Sequence, residues 1–229
     1  MTPCLLHRPS RWPRPPIYAV ITTHQRHQLL TQAVAAVADD VHHVIVVDNA
    51  STPPVPRWAA DTVIHDPEQP PNLSRLWNVG LETAANHAAM NMADTWDVLV
   101  LNDDVVCGPG VPGALQQALR TTGVDAASPG PFDVEFHEPG PIALPTRMAG
   151  YCWMVRGESG LRADEALRWW YGDDDIGQQA CAGRGRLVVP GLSLHHLHPD
   201  ESTRTRPVLA EQAIRDRTTF VSKWGFEPW

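Results

Sequence analysis

Several absences frame this sequence before any motif is considered. No apolar run reaches the roughly 18 residues that a membrane-spanning helix needs. The opening stretch, MTPCLLHRPSRWPRPP, is broken by prolines and lacks the apolar core of a secretory leader, so none is expected. Only 4 cysteines occur, Cys4, Cys107, Cys152 and Cys181, with no Cys-x-x-Cys pair. That excludes a zinc ribbon or a thioredoxin-like motif and fits free thiols in a reducing cytoplasm. A basic excess is missing too: 18 Lys and Arg stand against 26 Asp and Glu, a formal charge of -8. Broad, salt-driven binding to a phosphate backbone is therefore disfavoured. Nor is there a Gly-rich phosphate loop. The turn after the first apolar run reads THQRHQ, and Gly183-Arg184-Gly185 precedes a strand rather than a helix.

What is present reads as one globular unit. The 229 residues are 43% hydrophobic and 19% charged, within the ordinary globular range. Residues 17–22 (IYAVIT) form a first expected strand. A helix follows over about 28–38, with Leu29, Leu30, Ala33, Val34 and Val37 at three-four spacing. The apolar run VIVV at 44–47 suits a parallel strand covered on both faces, and 62–64 is a short third strand. A long helix fits 74–92, where Leu76, Gly80, Ala84 and Ala88 recur every fourth residue; Asn72 or Ser74 is its expected cap. DVLVL at 97–101 is another buried strand. This order predicts an α/β fold with a mainly parallel sheet flanked by helices. In the second half we expect a helix over 111–120, a loop or irregular hairpin over 129–145 and a strand over 148–155. Further on come a short helix over 161–170, a helix over 176–182, a strand over 186–189, the run 192–198 and a closing helix over 207–224. Residues 1–16 read as a Pro/Arg-rich arm, flexible or docked through Leu5, Leu6 and Trp12, and residues 17–229 as one domain with two lobes.

Three acidic clusters carry the chemistry. Asp48 follows VIVV, Asp103 and Asp104 follow VLVL, and Asp173, Asp174 and Asp175 open a helix. In open α/β sheets a ligand binds beyond the C-terminal ends of the strands, so strand-end acids can converge. Alone, Asp48 reads equally as a turn former. Adjacent carboxylates at 103 and 104 repel unless a cation is near. A nucleotide-diphosphate site lacking a phosphate loop also needs a cation. Oxygen ligands such as Asp104 suit Mg²⁺ or Mn²⁺, and an imidazole tilts the choice toward Mn²⁺. His195, His196 and His198 offer one. The triplet at 173–175 also suits a helix N-terminus, but Trp169 and Trp170 before it suggest a walled pocket.

Together these segments resemble the family 2 glycosyltransferases, inverting enzymes with the glycosyltransferase A fold, over about residues 17–225. Thr22-Thr23-His24-Gln25-Arg26 is similar to the opening "PTYNR" segment, which implies donor contacts at Thr22, Thr23 and Arg26. VIVVDNAS is similar to "VVDNGS" and implies that Asp48 meets the nucleotide base. NLSRLWNVG implies Arg75 and Asn78 near the nucleotide. VLVLNDDV resembles the "D-x-D" strand end, with Asn102 in the first Asp position and Asp104 in the last; Asn102 and Asp103 are then donor contacts and Asp104 a metal ligand. A late-strand His completes the metal site in such enzymes; His196 fits the spacing best, with His195 and His198 as alternatives. GYCWMVR resembles the acceptor-side "G-x-x-x-x-x-R" strand. WWYGDDDI resembles "ED-x-D", which makes Asp173 or Asp174 the catalytic base and puts Trp169, Trp170, Tyr171 and Asp175 on the acceptor side. FVSKWG resembles the closing "F-x-x-KWG".

The implied architecture is a Rossmann-like sheet with a nucleotide-sugar half at 17–106 and a smaller acceptor-side lobe with a C-terminal helix at 107–229. The implied activity is metal-dependent, inverting transfer from a UDP-, GDP- or dTDP-linked sugar to an acceptor hydroxyl, with Mn²⁺ or Mg²⁺. The acceptor stays open among a glycan, a lipid-linked sugar, a protein, a small molecule and a modified DNA base. A nucleotidyltransferase on a related scaffold, or a non-catalytic module holding a sugar nucleotide or metal, is the competing expectation. Ala-, Arg- and Pro-rich usage points to a high-GC bacterium or its phage.

Overall fold

The computed structural model of the chain describes residues 14–130, 140–141, 148–198 and 205–228. The expected arm at 1–16 and the expected loop at 129–145 lie largely outside the described residues. The first half runs β1 (Ile17–Thr23), α1 (His27–Val37), β2 (His43–Asn49), β3 (Thr62–Asp66), α2 (Leu73–Met90), β4 (Asp97–Asn102) and β5 (Val105–Cys107). The second runs α3 (Val111–Thr122), β6 (Ala126–Pro129), β7 (Gly140–Pro141), β8 (Cys152–Arg156), α4 (Gly172–Ala182), β9 (Arg186–Val189), β10 (Leu194–His196) and α5 (Pro207–Trp224).

The main sheet has the order β3-β2-β1-β4-β8-β6-β9-β7, with β10 and β5 forming a separate two-stranded ladder. Strands β3, β2, β1 and β4 are parallel, and β8 runs against both β4 and β6. The near-continuous apolar runs are explained by burial on both faces. Ile17, Ala19 and Ile21 join Val44, Val46, Leu99 and Leu101 in a core covered by α1 and α3. Tyr18, Val20, Ile45, Val47, Val98 and Val100 point the other way, into a core covered by α2 and α4. Successive side chains on a strand alternate faces, so one sequence run feeds both cores. Helix α2 begins where Asn72 Oδ1 accepts from Arg75 N at 3.1 Å, as a capping Asn does. Gly80 lets α2 approach β1 closely; a Cβ there would overlap the Val20 side chain.

Two expected elements differ. Residues 161–170 are irregular rather than helical, because distant side chains take up their backbone amides. Asn78 Oδ1 accepts from Ala163 N at 3.0 Å and Asp175 Oδ2 from Asp164 N at 3.2 Å. The Asp216 carboxylate accepts from the amides of Arg168, Trp169 and Trp170 at 3.1, 2.7 and 2.9 Å. Amides held this way are lost to an i−4 helical ladder. The expected strand over 148–155 begins only at Cys152; residues 148–151 form a turn over the strand ends.

Candidate active site

Register brings the strand ends together. Thr22 lies beside Asn102 on β4, and Thr23 beside Asp48 on β2. The antiparallel ladder of β5 and β10 pairs Val105 with His196, and Leu197 N donates to Asp104 O at 2.9 Å. Alternation along β10 leaves His195 exposed and turns His196 toward Asp104. Above these ends opens a cleft of about 410 Å³ lined by Thr22, Thr23, Arg26, Asn102, Asp103, Asp104, Trp169, Trp170, Asp173, His196 and His198. Asp104 and Asp173 thus face one space although β4 and α4 are far apart in the chain.

The acidic floor is tightly wired. Thr23 Oγ1 donates to Asp103 Oδ2 at 2.7 Å. Arg26 Nη1 lies 2.8 Å from Asp104 Oδ2 and 3.4 Å from Asp103 Oδ1. Burial is the largest influence on Asp103 and pushes its carboxyl up to about 6, against the pull of Thr23 and Arg26. Burial also raises Asp104, but His196 and Arg26 beside it more than offset this and hold it below the ordinary carboxylate value. Asp104 Oδ1 is buried with no well-formed hydrogen bond, and His196 Nε2 stands 3.3 Å from it. The Tyr151 ring packs on His196 with centroids 4.8 Å apart.

Among the described residues, no group of three or more His, Cys, Asp or Glu side chains is placed to hold a metal by itself. Asp104 Oδ1 and His196 Nε2 nevertheless fit as a partial set. Neighbouring ligands on an octahedral ion with ~2.1 Å bonds lie about 3 Å apart, close to this oxygen–nitrogen separation. Small divalent ions take their remaining ligands from water and phosphate, so two protein ligands suffice.

Asp173 sits in the first turn of α4, buried but facing the cleft. Its carboxylate presses on Gly150, where an added Cβ would lie 2.5 Å from Oδ2. Asp174, its neighbour in the same turn, is buried and does not line the cleft.

Other expected site residues lie off the cleft wall. Asp48 is buried and accepts from Ser51 N at 3.2 Å, Val55 N at 2.9 Å and His65 Nδ1 at 3.1 Å, while its neighbour Asn49 lines the cleft. Burial raises the Asp48 carboxyl, and those donors bring it below its usual value. Arg75 pairs with Asp66 and Glu68. Asn78 bridges α2 to Ala163 and Glu165. Tyr171 turns away to pack near Phe220, with ring centroids 5.9 Å apart. Asp175, expected on the acceptor side, is fully buried instead. Trp224 Nε1 and Lys223 Nζ reach its Oδ1 at 2.9 and 2.8 Å, and Gln179 Nε2 reaches Oδ2 at 2.7 Å. With both oxygens bonded inside the protein it anchors α5 to α4.

The cleft is also lined by residues to which the motifs assign no individual role: His24, Trp77, Met148, Ala149, Gly150 and Tyr151. Gly150 and Tyr151 stand in the GYCWMVR segment, so a signal was present, but it pointed to a strand rather than to the turn that carries them.

A sequence model described as glycosyl transferase family 2 matches residues 18–189. No curated protein matches the sequence. The structure is similar to S. aureus TarS 1-349, with a TM-score of 0.58 at 13% identity over 86% of this chain and 65% of that one. Structures of that same TarS piece are described in complex with UDP and with UDP-GlcNAc. The chain covers 42% of a longer TarS structure. It is also similar to the mannosyltransferase PcManGT from Pyrobaculum calidifontis in complex with GDP-Man and Mn²⁺, with a TM-score of 0.60 at 16% identity over 97% of this chain and 70% of that one. At these identities the likeness is one of fold, that of the glycosyltransferase A architecture.

Proposed function

The chain belongs to glycosyl transferase family 2, and from that premise we propose that it transfers a sugar from a nucleotide diphosphate to an acceptor hydroxyl, with inversion and with the help of Mn²⁺ or Mg²⁺. The observation that carries this reading is the meeting of Asp104 and Asp173 in one cleft, with the His196 imidazole beside Asp104. Single-step displacement needs two acids with separate duties, one serving the leaving diphosphate and one serving the attacking hydroxyl.

In this proposal Asp104 and His196, with His198 at the rim, hold the cation. When bound, it neutralises charge on the diphosphate as the anomeric carbon–oxygen bond breaks. The donor lies over the ends of β1, β2 and β4, against Thr22, Thr23, Asn49, Asn102 and Asp103. Asp48, Arg75 and Asn78 support that floor from behind. Arg26 adds positive charge for the phosphates. Asp173 takes the proton of the acceptor hydroxyl as that oxygen attacks the anomeric carbon; Asp174 is the second candidate for that role. Trp169 and Trp170 offer aromatic faces to the acceptor. UDP-, GDP- and dTDP-linked sugars are all proposed donors. The acceptor belongs to one of the classes named from the sequence.

Among the described residues, no helix is long and apolar enough to cross a membrane. Cys107, Cys152 and Cys181 are free thiols, which supports a cytoplasmic place of action.

The test is incubation with a panel of nucleotide sugars and Mn²⁺, reading free nucleotide. The wild-type chain should release nucleotide slowly by hydrolysis even without its acceptor. Asp173→Asn and Asp104→Asn should each lower this by two orders of magnitude or more. Binding with no release favours the non-catalytic module, and pyrophosphate release from a nucleoside triphosphate with a sugar phosphate favours the nucleotidyltransferase.

A further inference from the structure

A positive charge already stands beside Asp104, the carboxylate assigned above to a divalent cation, and beside its neighbour Asp103. Arg26 Nη1 stands 2.8 Å from Asp104 Oδ2 and 3.4 Å from Asp103 Oδ1. Both carboxylates are buried, at 6% and 3% exposure for Asp103 and Asp104. Adjacent buried carboxylates repel, so a positive neighbour is required to keep both ionised. The backbone around Arg26 is anchored. Gln25 adopts a φ of 60°, its amide donates to Ser51 Oγ at 2.9 Å, and its Oε1 accepts from Thr52 N at 3.1 Å. Motion is therefore left to the long Arg26 side chain, whose guanidinium lines the cleft and is 21% exposed. A guanidinium binds carboxylate and phosphate oxygens with the same fork of donors.

We propose that Arg26 is the exchange partner of the cation: it neutralises Asp103 and Asp104 while the donor is absent, and moves to the donor's diphosphate when the cation takes Asp104. This rests on the reading of Asp104 as a cation ligand. Its consequence is coupling. The cation must displace a guanidinium if it arrives alone, whereas a diphosphate draws that guanidinium away, so each ligand strengthens the other's binding by the same factor.

The experiment measures Mn²⁺ binding to the full chain by the electron paramagnetic resonance signal of free Mn²⁺. It is run without nucleotide and then with saturating UDP or GDP in separate arms, each referred to the same nucleotide without protein, because a diphosphate itself binds Mn²⁺. Wild type should bind Mn²⁺ weakly alone and about tenfold or more tightly with the nucleotide that fits. Arg26→Gln should bind Mn²⁺ alone about tenfold more tightly than wild type, because a unit positive charge beside the ion is gone. Its gain from nucleotide should be smaller than that of wild type, leaving the part that the ion's direct attraction to the diphosphate supplies. Arg26→Lys, which keeps the charge, should stay close to wild type. A folded Arg26→Gln chain, checked by circular dichroism, that binds Mn²⁺ alone no better than wild type overturns the exchange. Asp104→Asn is the separate control. If it binds Mn²⁺ as wild type does, the cation assignment itself fails and the exchange falls with it.

Discussion

Replacing Asp216 by Ala tests whether one carboxylate on α5 shapes the wall of the cleft. Asp216 is fully buried. It accepts from the amides of Arg168, Trp169 and Trp170 at 3.1, 2.7 and 2.9 Å and from Gln212 Nε2 at 2.7 Å. Hydrogen bonds to a charged acceptor contribute roughly 1.5–3 kcal/mol each in net terms, and each donor left buried and unpaired costs about 1–3 kcal/mol. The three amides belong to half-exposed residues, so water can replace part of the lost bonding. The expected cost of Asp216→Ala is therefore about 2–4 kcal/mol, well below the sum of the four bonds. Asp216→Asn keeps one acceptor oxygen but turns an NH₂ toward N–H donors, so it should cost about half as much. Urea unfolding followed by tryptophan fluorescence and circular dichroism gives these numbers from the shift in midpoint at unchanged slope. A cost of Asp216→Ala below about 0.5 kcal/mol, with an unchanged slope, would falsify the view that this carboxylate holds residues 168–170 in place.

Three further outcomes follow from the same geometry. Gly150→Ala sets a methyl group 2.5 Å from Asp173 Oδ2; nucleotide release should fall roughly a hundredfold, as for other small displacements of a catalytic group, and a turnover within twofold of wild type would refute the placement. Asp48→Ala frees the amides of Ser51 and Val55 and should cost about 2–4 kcal/mol in urea unfolding, a loss that Asp48→Asn partly restores. The third outcome concerns pH. His42 Nδ1 accepts from Ile17 N at 3.0 Å, and burial lowers both His42 and His43 below their ordinary 6.5, the nearby His87 adding to the effect on His43. As the pH drops below 6.5 the unfolded chain takes up protons that the folded chain refuses. The stability contributed by the neutral rings is thus complete above that pH and declines below it. Urea midpoints at pH 7.5 and 5.5 should show the loss, and a His42→Asn/His43→Gln chain should show a smaller one.

The parallel half of the fold was legible because its strands are buried on both faces, which writes them as unbroken apolar runs such as VIVV and VLVL. The same runs end in acids and amides, so the position of the cleft was legible too. Legibility failed where tertiary contacts overrode local pattern. Residues 161–170 carry leucine and alanine at helical spacing, yet Asn78, Asp175 and Asp216 claim their amides. The triplet at 173–175 shows three like residues in sequence. Only the start of α4 at Gly172 separates Asp173, which faces the cleft, from Asp175, which meets Lys223 and Trp224. Arg75 and Asn78 stand in a motif that implies ligand contacts, and in the fold their polar atoms also bridge α2 to neighbouring segments, a second use that the motif does not reveal.

The irregular stretch from 161 to 170 owes its path to acceptors supplied by other elements, and what they grip is main chain. A segment moulded from outside in this manner is indifferent to many of its own side chains. On the proposed reading, in which Trp169 and Trp170 face the acceptor, substitutions there change acceptor choice while Asp216 still supplies acceptors to their backbone amides.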